Sequence, residues 1–348
     1  MSHRSTLSAW GAALRTPLTL GLSALLVVQI GAALVLDWSA RGALVPAAAN
    51  QPLLRFDPQA VDVVRIDGKT DTGQAAIALS RSGQGWVFKD LGDFPADGAK
   101  VDALLAKLAE LKRPLPVATS PEAQTRHRVA DDRYERRVVL ESGGKPVATL
   151  LLGDSPGFRR QLARPAGETA VYDLALALHD VGNRPDDWLA KDRLQLDQAS
   201  VEGIAAKDWE LAKGQDGWRF ADAGTATDQA PDTAAVVNLL GRLGNLSYRG
   251  VLGTEDKPEY NQAAPVMELR LKLKNGETRT YRISKPQAGQ DYVLKVSDRP
   301  WYFKVADFDL AGLLDQDRAK LRGETAKPTE PPAAEGDSAP PDLPEEAQ

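Results

Sequence analysis

One series of elements occurs twice in this chain at nearly constant spacing, so any fold must accommodate both copies. Gly85-Trp86-Val87-Phe88 returns as Gly217-Trp218-Arg219-Phe220. The Leu-rich stretch from Val101 returns from Val236, with Leu104, Leu105, Leu108 and Leu111 falling on Leu239, Leu240, Leu243 and Leu246. The alternating segment RRVVLESGGKPVATLLLG from Arg136 is echoed by ELRLKLKNGETRTYRIS from Glu268. Val171-Tyr172-Asp173-Leu174 meets Tyr302-Phe303-Lys304-Val305, and acidic amphipathic stretches from Pro185 and Leu310 close the two copies. Four elements in one order read as a tandem duplication, with copies at 56–195 and 196–322.

Within the first copy, a strand at Val61–Ile66 leads to strands around Ala76–Ser80 and Gly85–Lys89. Ile77 and Leu79 fall on one face of a period-two pattern. Pro95-Ala96-Asp97 opens a helix near Gly98–Lys112, whose leucines recur at three and four. Pro114 lies just beyond it. A short strand at Pro116–Thr119 precedes a loop holding Arg126, His127 and Arg128. The hairpin Arg136–Leu152 turns at Ser142-Gly143-Gly144-Lys145, where paired glycines suit a tight turn. Strands near Arg160–Arg164 and Ala170–Leu174 and a helix near Asp186–Lys191 complete the copy. Antiparallel connections dominate and βαβ alternation is absent. The expected class is α+β: two tandem repeats, each a mostly antiparallel meandering sheet with one or two covering helices. Trp86 and Trp218 are expected to pack sheet onto helix.

A membrane-spanning helix is expected before the repeats. Pro17 to Leu36 carry no charge across twenty residues, including seven Leu, three Val and one Ile. Twenty residues at ~1.5 Å each span the ~30 Å hydrocarbon core. Eleven strong apolar residues supply about −3 to −7 kcal/mol of insertion free energy, less the cost of the polar residues. Arg4 and Arg15 precede the span without an acid among the first sixteen residues, and Asp37 follows it. The positive-inside rule puts residues 1–16 in the cytoplasm and the body outside, joined by a linker at 37–55. In a diderm bacterium this is a single-pass inner-membrane protein with a periplasmic body. The competing reading is a cleaved signal peptide with Ala47-Ala48-Ala49 as its site. A signal h-region is usually ~7–15 residues, shorter than this run.

At the other end, residues 323–348 form a separate region. From Glu324 onward it holds seven acids, six prolines, one lysine and no aromatic residue. Such a segment cannot bury enough apolar surface to offset its ordering entropy, so a disordered tail is expected. It accounts for the chain's net charge of −5. That balance argues against a dedicated nucleic-acid binder.

Composition also limits the chemistry. There is no cysteine, which excludes disulfides, thiolate metal sites and a cysteine nucleophile. Histidine occurs only at positions 3, 127 and 179. No nucleophile elbow, phosphate loop, dinucleotide fingerprint or zinc-protease motif is present. His179-Asp180 has the composition of a base and its orienting carboxylate, but neighbours in sequence rarely point the same way. The arginines at 126, 128, 133, 136 and 137, and those at 159, 160 and 164, are interleaved with Asp131, Asp132 and Glu135. They read as self-compensating surface pairs, with binding of an anionic polymer, lipid headgroups or an acidic partner surface as the alternative. Asp186-Asp187 is too common a pattern to indicate a hydrolase. No catalytic, cofactor-binding or metal residue is assigned.

The strand with G-W-x-F, Pro95-Ala96-Asp97 before the Leu-rich helix, Leu150 to Asp154 (L-L-L-G-D), the V-Y-D-L strand and Asp186-Asp187-Trp188-Leu189 together resemble the domain of unknown function 4340 family. The resemblance runs over roughly 56–322, in two copies behind the anchor. It is looser in the second, where Ile283-Ser284-Lys285 replaces L-G-D and D-D-W-L is lost. The family carries no catalytic residues to transfer. What the resemblance implies is setting: such proteins commonly accompany an ABC-type transporter of the gliding-motility kind. The expected role is a non-enzymatic, membrane-anchored accessory or scaffold protein with protein partners in such a complex. The alternatives are an envelope module binding or sensing cell-wall or lipid material at the cleft between the repeats, and an envelope hydrolase.

Overall fold

A computed structural model describes residues 25–32, 51–70, 73–83, 85–221 and 230–324. The body of the described chain falls into two compact units, one holding 51–89 and 95–189, the other 90–94 and 190–324. Both are α+β with antiparallel sheets.

The first unit contains β1 (Val63–Thr70), β2 (Gly73–Ser82), β3 (Gly85–Phe88), α1 (Gly98–Glu110), α2 (Pro121–Arg126), β4 (Arg136–Ser142), β5 (Lys145–Leu152), β6 (Gln161–Pro165) and β7 (Tyr172–Leu174). The longer strands of its sheet run β7-β6-β5-β4-β1-β2-β3. Two meanders therefore meet where β1 pairs with β4, and the chain crosses between them through α1. Alternation sets the faces: Val64 and Ile66 of β1 and Ile77 and Leu79 of β2 are buried. Val101, Leu104, Leu105 and Leu108 form the buried stripe of α1. Each such side chain contributes roughly 1.5–3 kcal/mol on leaving water. The Asp97 carboxylate caps this helix by accepting from Lys100 N–H. Trp86 is buried and donates Nε1–H to Asp102 at 2.9 Å, tying β3 to α1.

The second unit contains β8 (Val201–Ala205), β9 (Glu210–Gly214), β10 (Gly217–Phe220), α3 (Thr233–Gly244), β11 (Gly250–Val251), β12 (Met267–Leu273), β13 (Thr278–Ser284), β14 (Tyr292–Val296), β15 (Tyr302–Val305) and α4 (Arg318–Leu321). Its sheet runs β10-β9-β8-β12-β13-β14-β15-β11. Setting the short β11 aside, this is the strand order of the first unit. Each sheet also carries a small additional core in the same place. In the first it joins Val129, Leu162 and Val171, and in the second Tyr260, Val293 and Tyr302, each 131 positions on (129 to 260, 162 to 293, 171 to 302). Phe94, from the segment 90–94, packs edge-on against Tyr248 and Trp301 at 5.9 and 4.9 Å between ring centroids.

Several local expectations need correction. Ser120 caps a helical turn with Pro121 in its first position, where a loop was expected. Pro116–Thr119 forms one bridge, Ala118 to Val171, rather than a strand. The helix expected near Asp186–Lys191 is a single 3₁₀ turn, Pro185–Asp187. It stops there because Trp188 turns fully inward and donates Nε1–H to the Gly182 carbonyl at 2.8 Å. Trp218 is only half-buried, unlike Trp86.

Of the expected membrane span, only 25–32 lies among the described residues. That stretch is α-helical, with Leu25, Leu26, Val27, Val28 and Ile30 all exposed. No described helix is long and apolar enough to cross a membrane. Residues 1–16, most of the linker and the tail from 325 onward lie outside the described residues.

Candidate functional site

The residues that carry the family pattern are held by the backbone they support. A Cβ on Gly153 would overlap the carbonyl oxygens of His127 and Arg128, so only glycine fits. Asp154 beside it accepts from Arg128, which also pairs with Glu135. Asp187 accepts the Arg184 N–H at 3.2 Å, closing the turn before Trp188. A Cβ on Gly182 would strike that Asp187 carboxylate. Gly143 and Gly144 have φ of +58° and +74°, a tight hairpin turn rather than a phosphate loop.

That closing turn forms one wall of a cleft of about 510 Å³ in the first unit. The end of β1 and the start of β4 supply the rest. Arg136, the first residue of β4, is part-buried there. Its Nε donates to Val181 O at 3.2 Å, and its Nη1 donates to Lys69 O at 2.6 Å and Glu135 O at 3.0 Å. All three acceptors are backbone carbonyls. Among the described residues no carboxylate lies within ion-pair distance of Arg136. Burial pulls its pKa below the ordinary guanidinium value. The Glu135 and Asp187 charges oppose that pull, and Arg184 adds to it. Buried Asn183 fixes the floor by donating its amide to Gly68 O at 2.9 Å and Ala75 O at 3.2 Å.

The remaining charges divide into spent and unspent. Glu135 is engaged by Arg128, and Asp187 holds the turn. Arg184 is exposed and reaches Asp187 only at 3.7 Å. Lys69 makes no ion pair among the described residues. His179 stands on the rim, 72% exposed, with Nε2 3.7 Å from Asp180. That carboxylate already accepts from Lys107 at 2.5 Å and from Ala177 N–H at 2.8 Å. Burial pushes Asp180 upward, but these hydrogen bonds outweigh it and hold the group below its usual range. With Asp180 so occupied, the pair lacks the arrangement of a base and its orienting group. Arginines that do not titrate near neutral pH suit the cleft to binding and charge neutralisation rather than proton transfer.

The second unit has a cleft in the corresponding place, about 410 Å³, between the end of β8, the start of β12 and the segment near Gln316. There Met267 stands where the first unit has Arg136, and the lining carries Lys207 and Arg270 beside Asp208 and Glu268.

Four of the eight arginines in the two groups, Arg128 among them, are paired with carboxylates within the first unit. Arg137 pairs with Asp67, Arg160 with Asp173, and buried Arg164 with Asp131. His127 ends α2 and lends its carbonyl to Asp154 N–H. In sequence Arg136 is indistinguishable from Arg137 beside it, and Asn183 belongs to no pattern. The available signal was internal: the second unit has Met267, 131 positions on, where the first has Arg136. Among the described residues no group of His, Asp and Glu gathers to hold a metal ion.

A family model described as Domain of unknown function (DUF4340) matches residues 86–265. It does so as one span, starting in β3 of the first unit and ending just before β12 of the second. The expectation of two tandem copies of the family is corrected to one. Neither a curated protein nor a solved structure matches the chain.

Proposed function

We propose, from the premise that the chain belongs to the DUF4340 family, that it is a membrane-anchored envelope scaffold or accessory subunit of an ABC-type transport complex. In this reading its body lies in the periplasm, and one helix at 17–36 holds it to the inner membrane. The two units are copies of one ancestral fold, with the family model recognising a window across them. The observation that carries the reading is the employment of the family-pattern residues. Trp86, Gly153, Asp154, Asp187 and Trp188 are engaged in helix docking, backbone approach, ion pairing and turn closure. A pattern spent on framework preserves a shape, and a preserved shape is what partner surfaces read. The link to an ABC transporter comes from the resemblance alone.

Deleting residues 1–36 tests the anchored-subunit reading. The truncated chain, exported by a cleavable signal, is expected to leave the membrane fraction and lose its partner contacts and phenotype. Retention of both after the deletion would contradict it. A second reading, an envelope ligand-binding module, is favoured by the cationic cleft of the first unit.

A further inference from the structure

The geometry points to the cleft at Arg136 as a binding site for a phosphate-bearing ligand. This inference rests on the ligand-binding reading and is independent of the transporter. Arg136 is pre-oriented by three backbone carbonyls, which fix its plane without neutralising its charge. Its Nη2 has no acceptor among the described residues. With Nε and Nη1 held by carbonyls, Arg136 offers the two Nη2 hydrogens to an oxyanion, and a guanidinium already fixed in its plane loses little entropy on donating them. Arg184 and Lys69 add two exposed cations to the same cleft, while Glu135 is already engaged by Arg128. With Asp187 3.7 Å from Arg184, the cleft retains a net positive balance, which suits a phosphate oxyanion with several acceptor oxygens. The volume of about 510 Å³ suits a small molecule or a headgroup. The second unit's cleft, with Met267 at the start of the equivalent strand, keeps surface charges of both signs but has no arginine held on backbone carbonyls.

Phosphate could arrive on a soluble molecule or on a lipid headgroup. Calorimetric titration of the full chain in nonionic detergent separates these sources. The probes are inorganic phosphate, glycerol phosphate, and short-chain phosphatidylglycerol with phosphatidylcholine of the same chain length. The site predicts saturable binding of a phosphate probe, weakened about tenfold or more in both Arg184→Ala and Arg136→Lys. Arg184 is exposed, so its variant folds whatever happens to Arg136→Lys. Saturation by glycerol phosphate or inorganic phosphate assigns a soluble ligand. Saturation by phosphatidylglycerol alone assigns a headgroup. Absence of saturable binding by every probe, or equal binding by the wild type and Arg184→Ala, would overturn the site. Neither result depends on transporter co-purification, so the two readings fail separately.

Discussion

Gly153 has no room for a side chain, because its Cα faces the carbonyls that end α2. Gly153→Ala is expected to cost at least about 4 kcal/mol, the range reserved for steric conflict with fixed backbone. Denaturant midpoints of the purified variant check this, and a loss under about 1 kcal/mol would contradict it. Arg128 illustrates a different compromise. It sits at φ +56°, a left-handed conformation costing a non-glycine residue roughly 1–2 kcal/mol, yet it bridges Glu135 and Asp154. The Lys107–Asp180 pair yields a pH prediction. Asp180 is held below its ordinary pKa in the folded state. Its contribution is therefore present above the unfolded value of about 4 and is lost as pH falls through the lower folded value. Lys107→Met should be less stable than wild type at neutral pH, with the gap closing in acid. Parallel denaturation curves across that window test the sign, and a gap that widens in acid would refute it.

At the scale of elements, the two long helices are built alike. Asp97 and Asp232 each cap a helix by accepting a backbone N–H from its first turn. Asp97→Ala and Asp232→Ala should each cost about 1 kcal/mol, readable from thermal or denaturant melts. The closing turn depends on Trp188, which is fully buried and bonded to Gly182. Trp188→Ala should cost about 3–5 kcal/mol, while Trp188→Phe loses chiefly the indole hydrogen bond and should cost less. These elements were legible to different degrees. The hairpin at 136–152 was plain, because period-two alternation and paired glycines specify both strands and turn together. The helix at Pro121–Arg126 is short and buries only Ala123, so it shows no apolar periodicity, although Ser120-Pro121 is an ordinary helix start. The stretch after Pro185 has helical spacing, but burial of Trp188 overrides it. Such tertiary demands leave no local pattern in a sequence.

Across the whole molecule, the likeness of the two halves was readable because hydrophobic positions recur at nearly one spacing, and both sheets order their strands alike. The candidate site was legible only in part. The turn bearing Asp187 stood out, but Arg136 resembled its neighbours until their carboxylate partners were known. Its distinction is to be part-buried on backbone carbonyls, which depends on β1 and the closing turn meeting across more than a hundred residues of sequence. The scaffold proposal concerns this same scale, since its substance is a shape presented to partners at a membrane. Its most direct test is affinity purification of the full-length tagged protein in mild detergent from its own host, read by mass spectrometry against an untagged strain and an unrelated single-span protein. The proposal predicts specific enrichment of an ABC permease and its ATPase. Recovery of the tagged protein with no transporter component above either control would contradict it.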